Sequence, residues 1–397
     1  MNNANSSRIL IFILAAITAL GPMSMQVFLP ALPAIQDAFN VSHMQAQLVL
    51  SASLVSIAIS ALAYGPASDR YGRRPVMLIG LTIFLIGSVI CVISTSIWVL
   101  IFGRIVQAIG GASGMVLSRA IIRDLYDRET AARMLAYMVT VLVFAPMVAP
   151  VIGGVINDLA GWRAIFCFTC LVGLAAITLA YPKVPETMVK TTHVQSQSGM
   201  FIHFITLIKI REFLAYAGQL SFGLGMFMGL IGGAPFVVIR VLGKSPTELG
   251  FLLLILSAGF MLGTFITARI GGGVGVDRMI KFGSILSVIS GIIMFILVLA
   301  GEWTVWAIFV PSTVMAFANG LIMPNAQAAA VSINPQIAGS ASGLMSFMQM
   351  MTGAVFAQTV GVIQDGTPLP MVFVVTIAAL LGFASILFLP KTKISEN

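Results

Sequence analysis

Long apolar stretches alternate with short polar turns along the whole chain. We place helix-length apolar segments at residues 9–29, 47–65, 76–94, 98–118, 134–156, 164–181, 213–239, 249–267, 280–299, 303–323, 338–362 and 371–389. A helix that crosses a bilayer needs about 20 predominantly apolar residues, and its backbone must be hydrogen-bonded internally. The pattern therefore predicts an all-α membrane protein with twelve transmembrane helices.

Composition agrees with this interpretation and excludes several functions. Apolar residues make up 59% and charged residues 9% of the 397-residue chain, whose mean hydropathy is +1.04, whereas a soluble domain carries about 25% charged residues. The three cysteines, Cys91, Cys167 and Cys170, lie in apolar stretches, so we expect neither a disulfide framework nor a metal site. The spans contain no pattern of nucleophile and base, and we expect neither an enzyme nor a bound cofactor.

The distribution of positive charge predicts the orientation. Of the 21 Lys and Arg residues, seventeen fall on one side of the predicted bundle and three on the other, namely Arg163, Arg240 and Lys244. Because loops rich in Lys and Arg stay in the cytoplasm, both termini are predicted to be cytoplasmic. The net charge of +8 is spread over short loops, so a nucleic-acid partner is not expected.

The longest polar interruption, from Pro182 to about Lys209, divides the chain into two sets of six spans. We predict an N-terminal six-helix half at 1–182, a cytoplasmic linker at 183–210 and a C-terminal six-helix half at 211–397. Transporters that work by rocking two halves bind substrate near mid-membrane. The predicted partners are a small-molecule substrate and the lipid bilayer, and we expect a monomer.

A charged turn from Tyr64 to Pro75 separates the second and third spans. Its one acid can pair with an arginine or lie at a helix N-terminus, in a contact made in one conformation and lost in another. The alternative is that the arginines serve topology alone. We favour a conformational latch formed by Asp69, Arg70, Gly72, Arg73 and Arg74.

The turn also carries a family resemblance. Its motif G-P-x-S-D-R-x-G-R-R-P, which begins at Gly65, resembles the loop between helices 2 and 3 of the major facilitator superfamily. The resemblance implies that this loop stabilises the state closed to the cytoplasm.

Arg104 is the one charged residue that falls well inside a predicted span. A charge there costs at least ~2.5 kcal/mol, so Arg104 should face the protein interior and have a partner; the alternative is a side chain that reaches the membrane surface. Gln107 lies on the same helix face. In the first span, Gln26 is either an interhelical hydrogen-bond partner or a substrate contact. We predict substrate binding by Arg104, Gln107 and Gln26.

The fifth span is predicted to be bent and closely packed, because it contains Pro146, Pro150, Gly153 and Gly154. With it, the motifs R-x-x-Q-A-x-G, R-D-L-Y, A-P-x-x-A-P-x-x-G-G and W-R resemble the bicyclomycin-resistance (Bcr/CflA) branch of the same superfamily. Residues 338–344 with Gln349 resemble that branch's eleventh helix. The resemblance implies two six-helix halves, the bacterial inner membrane, and antiport of drugs against protons.

The second half offers weaker candidates for substrate contacts. It has no charged residue from Trp303 to Gln364, so helix contacts there depend on small residues and amides. Aromatic side chains of the seventh span and methionines of the eleventh could form a soft apolar wall, with packing alone as the alternative for each of them. The predicted contacts are Phe222, Phe236, Asn319 and Gln349.

Proton antiport needs a titratable group that both sides of the membrane can reach. All 13 Asp and Glu residues fall in loops or at span ends, and Gln26 stands where the resembled branch commonly has an aspartate. Asp37 is the nearest acid and is our candidate for proton coupling. Three functions stay open: a proton-coupled exporter of small amphipathic drug-like compounds, a uniporter or carrier of an anionic metabolite held by Arg104, and a non-transporting sensor or scaffold.

Overall fold

The computed structural model describes residues 3–188, 197–334 and 337–388, and these ranges are helical apart from short connections. The α-helices are α1 (Asn3–Val27), α2 (Leu32–Phe39), α3 (His43–Tyr71), α4 (Arg73–Val92), α5 (Ile97–Leu125), α6 (Arg128–Ala160), α7 (Trp162–Lys183), α8 (Gln197–Ile208), α9 (Arg211–Pro235), α10 (Pro246–Val274), α11 (Val276–Leu299), α12 (Val305–Ser332), α13 (Ala338–Ile363) and α14 (Leu369–Ser385). The remaining elements are 3-10 turns at Leu29–Ala31 and Ile386–Phe388 and a π-helix at Phe236–Val241.

Eleven helical segments in the described ranges are long and apolar enough to cross a membrane. The first joins α1 and α2, from Ile9 to Phe39, and the seventh joins α9 and the π-helix, from Arg211 to Val241. A further apolar helix, α14, is shorter, with 17 residues. The predicted all-α membrane fold is therefore confirmed, although helices such as α5 continue several residues beyond the apolar stretch from which each span was predicted.

The chain divides into two compact units. The first comprises Met1–Gln195 together with Ile231–Leu254, and the second comprises Ser196–Leu230 together with Ile255–Asn397. The end of the seventh span and the start of the eighth thus belong to the first unit. The division into halves at 1–182 and 211–397 stays a prediction.

The first span contains an irregular turn near its proline residues. The helix α1 continues through Gly21 and Pro22 and ends at Val27. The 3-10 turn that follows carries a proline in its first positions, and so does α2. Proline is tolerated there because the first N–H groups of a helix have no partner inside it. The regular α-helix thus ends just after Gln26.

The charged turn contains a single non-helical residue. The helix α3 continues through Gly65 and Pro66 to Tyr71, and α4 begins at Arg73. Gly72 between them has a φ of 102°, a conformation that glycine adopts without the steric cost that other residues meet. In the second unit Gly275, with a φ of 90°, precedes α11 in the same way. The two units therefore share this local backbone conformation.

The predicted linker contains a helix that its sequence had not indicated. This helix, α8, runs from Gln197 to Ile208, and residues 189–196 lie outside the described part of the chain. Leu207 of α8 is buried with Phe213 in a hydrophobic core of the second unit. His203 hydrogen-bonds Ser340 of α13 at 3.3 Å. The C-terminal part of the linker thus belongs to the second unit and packs within it.

Glycines bring α4 and α5 into very close contact in the first unit. A Cβ atom on Gly87 would meet the backbone nitrogen of Gln107, and one on Gly110 would meet that of Phe84. Small residues of this kind let helix backbones approach within a membrane. As a result, the side chain of Gln107 lies beside Ser88 of α4.

Candidate functional site

The centre of the candidate site is Arg104, eight positions into α5. Its side chain is among the largest that are fully buried, and the residue is 1% exposed. The guanidinium carbon lies 4.1 Å from the centre of the Phe28 ring, just after the end of α1. A cation over an aromatic face is stabilised by about 2 kcal/mol when both are shielded from water. The prediction that Arg104 faces the protein interior is met by this geometry.

Hydrogen bonds connect Arg104 to three other helices. Its Nη1 atom donates to the carbonyl oxygen of Ser24 at 3.2 Å and to Oε1 of Gln107. Gln107 in turn donates from Nε2 to the hydroxyls of Ser88 on α4, at 2.7 Å, and of Thr169 on α7, at 3.2 Å. A continuous polar chain therefore links α1, α5, α4 and α7 inside the first unit.

The other side of the guanidinium is unpartnered. Both Nε and Nη2 of Arg104 are buried and have no hydrogen-bond partner among the described residues. The same holds for both amide atoms of Gln47, which is fully buried one turn into α3. Buried polar groups without partners are rare and commonly indicate a bound molecule or a functional role.

Aromatic rings extend the site from Phe28 along the first unit. Phe28 and Phe166 are stacked with centroids 6.4 Å apart. Trp162 meets Phe166 edge-on at 6.1 Å, and Phe39 packs on Trp162 at 5.4 Å. The cation of Arg104 thus lies at one end of a row of aromatic side chains.

Gln26 lies near this cluster in sequence but is not the α1 partner of Arg104. That partner is the backbone carbonyl of Ser24, two residues earlier. Gln26 is partly exposed and is the penultimate residue of α1. The structure thus brings Arg104 and Gln107 together, as predicted, and leaves a contact of Gln26 with them a hypothesis.

The candidates of the second half lie in different surroundings. Asn319 of α12 is buried and donates to the carbonyl of Gly223 at 3.1 Å. Phe222 meets the ring of Phe356 edge-on at 6.2 Å. Gln349 is partly exposed on α13. Asn319 therefore already has a structural role in joining two helices of the second unit.

Phe236 belongs to the first unit, because the π-helix lies in the segment Ile231–Leu254 of that unit. The residue is 3% exposed, and its ring meets that of His43 edge-on at 4.7 Å. Four residues on, Arg240 forms an ion pair with Asp37 of α2 and also donates to the Pro33 carbonyl at 3.4 Å. The proton-coupling candidate, Asp37, is thus an exposed, ion-paired carboxylate.

The charged turn forms a network centred on Arg73. Its guanidinium pairs with Asp69 one helical turn earlier and with Asp124, at the end of α5, through an Nε to Oδ2 contact of 3.1 Å. It also donates to the hydroxyl of Ser68. The acid of the predicted latch therefore shares its arginine with a second carboxylate.

Glu186 completes this network, and the sequence had not singled it out. Its carboxylate accepts backbone N–H groups of Arg73 at 3.0 Å and Arg74 at 3.3 Å, and those of Thr187 and Met188 at 2.9 Å each. Partial burial raises the pKa of Glu186, but these four hydrogen bonds outweigh it and hold the pKa below its usual value. Thr187 also donates to Asp124 at 3.0 Å. The chain after α7 is thus fixed to the N-terminus of α4.

The prolines and glycines predicted to shape the fifth span all lie in α6. The helix runs without interruption through Pro146 and Pro150. A Cβ atom on Gly153 would collide with the Val27 carbonyl, and one on Gly154 would approach the Pro246 carbonyl. These glycines are therefore required for the close approach of α1 and α10 to α6.

Several residues of the site escaped the sequence analysis. Ser24 contributes only its backbone carbonyl, which no side-chain pattern reveals. Ser88 and Thr169 are small polar residues in apolar spans. Each hydroxyl also donates to a backbone carbonyl of its own helix, four residues earlier for Ser88 and three residues earlier for Thr169. The signal that could have been used is a polar residue inside an apolar run, because such a group needs partners.

Comparison with known proteins identifies relatives of the chain. The family model described as Major Facilitator Superfamily matches residues 14–357. A bicyclomycin resistance protein homolog of Haemophilus influenzae is 27% identical over 398 residues and covers 100% of both chains. The multidrug resistance protein D of Escherichia coli is 28% identical over 349 residues, with 88% of this chain and 87% of that protein covered. A chloramphenicol resistance protein of Pseudomonas aeruginosa is 31% identical over 302 residues, with 75% and 69% covered.

A solved structure shares the fold. The crystal structure of a D-xylose-proton symporter matches with a TM-score of 0.78 at 16% identity, over 97% of this chain and 98% of that one. At this identity the likeness shows the fold alone.

Proposed function

Because the chain belongs to the major facilitator superfamily, we propose that it exports small, amphipathic, drug-like compounds by alternating access. The observation that carries this proposal is the buried polar cluster of Arg104, Gln107, Ser88 and Thr169, bordered by aromatic rings. An amphipathic compound needs such a combination of polar and apolar contacts. The relatives named for resistance to bicyclomycin, to chloramphenicol and to multiple drugs support the same substrate class.

We assign substrate binding to Arg104 and Gln107 in the first unit, with Gln26 and Phe236 as further contacts. In the second unit, Phe222, Asn319 and Gln349 are the proposed contacts. Arg104 has the strongest support, because an arginine buried in a membrane span is costly to retain without a role. Asn319 has weaker support, because its amide already joins two helices.

The latch is proposed to act on the cytoplasmic side. Arg73 with Asp69 and Asp124, and Glu186 with the start of α4, would hold the helix ends together in one state and release them in the other. The excess of Lys and Arg on this side supports a cytoplasmic location for both termini. By family analogy, the protein is a monomer of the bacterial inner membrane.

Proton coupling is the proposed energy source. The described spans offer no mid-membrane carboxylate for it, and Asp37 is the candidate that the sequence leaves. Its ion pair with Arg240 lies between α2 and the π-helix. Protonation of Asp37 would weaken that pair, which would couple proton binding to a structural change at this end of the first unit.

Export is tested in a bacterial host that lacks its own drug exporters. Cells that produce the chain should accumulate less chloramphenicol or bicyclomycin than cells that produce an equal amount of the Arg104→Ala variant. Equal accumulation of both compounds in both strains, with both proteins present in the membrane, would contradict drug export. Purified protein in liposomes, with the pH gradient and the membrane potential imposed separately, then decides whether protons drive transport.

A further inference from the structure

The unpartnered side of Arg104 has a defined shape. A guanidinium has five N–H donors, and the two on Nη1 are used by Ser24 and Gln107. The remaining three belong to Nε and Nη2, which are both buried and unpartnered. These two nitrogens form one edge of the planar group, and their parallel N–H bonds match the two oxygens of a carboxylate.

Arg104 also forms no ion pair with any acid in the part of the chain that the structure describes. Every ion pair found among the described residues involves another cation, namely Arg73, Arg240 or Lys244. The two groups that accept from Arg104 are a carbonyl and an amide, and both are neutral. A buried cation with neutral partners alone favours a negatively charged ligand, because the low local dielectric strengthens their attraction.

The apolar surroundings of this cation are aromatic. Phe28 covers the guanidinium at 4.1 Å and is itself stacked on Phe166. Offset and edge-on ring contacts would favour a ligand whose anionic group is attached to an aromatic or similarly flat apolar body. Both free nitrogens are shielded from solvent by helices of the first unit, so the ligand can reach them only when one of these helices moves away from α5.

We propose that the free Nε and Nη2 edge of Arg104 binds the carboxylate of an amphipathic organic anion, which makes aryl carboxylates a substrate class of this transporter. The proposal rests on the proposed export function, because it assigns a substrate class to the same site. It also explains how the chain retains a buried arginine that pairs with no acid among the described residues. The substrate supplies the negative charge when it binds.

A matched pair of ligands tests the proposal on the full-length purified protein. The probes are 2-naphthoate and its neutral analogue 2-naphthamide, and the measurement is the rise in Tm with ligand concentration, since a ligand that binds the folded state stabilises it. Naphthoate should raise the Tm of the wild type at concentrations at which naphthamide does not. Equal stabilisation by both ligands would overturn the proposal.

Two variants locate the binding site. Arg104→Gln removes the charge and the fork, and the apparent affinity for naphthoate should fall roughly ten-fold or more. Gln107→Glu places a carboxylate on the atom that already accepts from Arg104, so it should neutralise the cation and weaken naphthoate binding to a similar extent. If Arg104→Gln does not fold, Gln107→Glu decides alone. Unchanged naphthoate affinity in the folded variants would overturn the proposal.

Arg163→Gln is the matched control. Arg163 also lies over an aromatic ring, that of Trp162 at 4.2 Å, and donates to a backbone carbonyl, that of Ser94 at 3.0 Å, but its side chain is exposed. This variant should bind naphthoate like the wild type. A loss of binding as large as that of Arg104→Gln would show a general effect of positive charge and would overturn the assignment.

Inorganic anions test whether the negative charge that Arg104 binds must belong to an organic ligand. Chloride and phosphate should not reproduce the Tm increase at equal concentration and ionic strength. If either does, and loses the effect in Arg104→Gln, the edge binds a free inorganic anion and the organic-anion proposal fails. The binding assay does not require transport, so the two proposals can fail separately. If naphthoate and naphthamide bind equally well and drug export is intact, only the present proposal is refuted. If naphthoate is bound selectively and export is absent, only the proposed function is refuted.

Discussion

The guanidinium of Arg104 lies over the ring of Phe28, with 4.1 Å between the guanidinium carbon and the ring centre. Moving an arginine to the middle of a membrane helix costs about 2.5–3.5 kcal/mol by insertion scales, and a shielded cation–aromatic contact returns about 2 kcal/mol. The two terms leave a net cost, and the neutral hydrogen-bond acceptors reduce it further. Phe28 therefore makes the buried charge tolerable in the absence of an acidic partner, without neutralising it.

The first prediction concerns the hydrogen-bonding geometry of the cation at position 104. Arg104→Lys keeps a positive charge but loses the planar fork, and its flexible ammonium cannot serve Ser24, Gln107 and a ligand in the same geometry. We expect Arg104→Lys to transport chloramphenicol into liposomes little better than Arg104→Ala, both about ten-fold or more below the wild type. Arg163→Lys is the control and should stay near the wild-type rate. Full activity of Arg104→Lys would show that a point charge is sufficient.

The second prediction compares two glycines in spans. A Cβ atom on Gly153 would collide with the Val27 carbonyl, whereas one on Gly65 has nothing within 4 Å. Gly153→Ala should force α6 away from α1 and lower stability by about 1–3 kcal/mol, the usual range for overpacking. Gly65→Ala adds a better helix former but places a Cβ atom before Pro66, which disfavours helical geometry at the preceding residue, so it should change stability by less than about 1 kcal/mol. The readout is the Tm of the purified variants, and equal values would contradict the packing argument.

The third prediction concerns the carboxylate that caps α4. Glu186→Gln keeps one acceptor oxygen but removes a negative charge at a helix N-terminus, a contribution of roughly 0.3–1 kcal/mol at an exposed site. We expect a small loss of stability at neutral pH and a changed transport rate, because the start of α4 is held less firmly. Glu302→Gln, at an exposed acid in the turn before α12, is the control and should change neither.

The pH dependence of this difference has a fixed sign. The pKa of Glu186 is lowered in the folded protein, so its carboxylate contributes stability above the ordinary value of 4.5, and the contribution is lost as the pH falls through the folded value. The Tm difference between the wild type and Glu186→Gln should therefore be constant between about pH 6 and 8 and shrink below about pH 4.5. A difference that grows on acidification would contradict the assigned hydrogen bonds.

The spanning helices could be predicted almost entirely from the apolar pattern, because a helix that crosses a bilayer must be long and apolar. The pairing of Arg104 with Gln107 also followed, since three residues place two side chains on one helix face. By contrast, two features depend on which helices are neighbours. These are the hydrogen bond from Arg104 to the Ser24 carbonyl and the glycine contacts between α4 and α5. Nothing in a single sequence specifies those neighbours.

Glu186 shows the same limit in the polar regions. It lies in a polar stretch in which any acid is normally solvated, and its role arises only because α7 ends beside the start of α4. The π-helix is a second example. It directs Arg240 toward Asp37, and such single-turn irregularities have no sequence signature, although they are common at functional sites.

The fourth prediction tests the ion pair between Asp37 and Arg240. If this pair holds the π-helix against α2, Arg240→Asp should loosen their contact, and the exchange of both charges, Asp37→Arg with Arg240→Asp, should restore it. The readout is the labelling rate of His43→Cys by a membrane-impermeant maleimide, in a protein without its native cysteines. His43 packs against Phe236 and should become accessible when the segment moves. If Arg240→Asp leaves the labelling rate unchanged, the ion pair has no such role.

The last prediction concerns proton coupling at position 26. Gln26→Asp places a carboxylate at the end of α1, two residues after the carbonyl that accepts from Arg104. Burial opposes ionisation of this group and the nearby cation supports it, so the two effects partly cancel and leave a group able to exchange protons. We expect the substitution to increase the dependence of transport on an imposed pH gradient, whereas Gln26→Ala should mainly weaken substrate binding.

The measurement is proton flux per transported substrate in liposomes for the wild type and both variants. The introduced carboxylate would also offer Arg104 an internal counter-ion, so Gln26→Asp should discriminate less well between 2-naphthoate and 2-naphthamide than the wild type does. If the wild type already exchanges protons stoichiometrically and Gln26→Asp leaves the ratio unchanged, another residue carries the proton. Asp37→Asn then decides the question, because an amide in place of the exposed carboxylate should abolish the pH dependence if Asp37 is that residue.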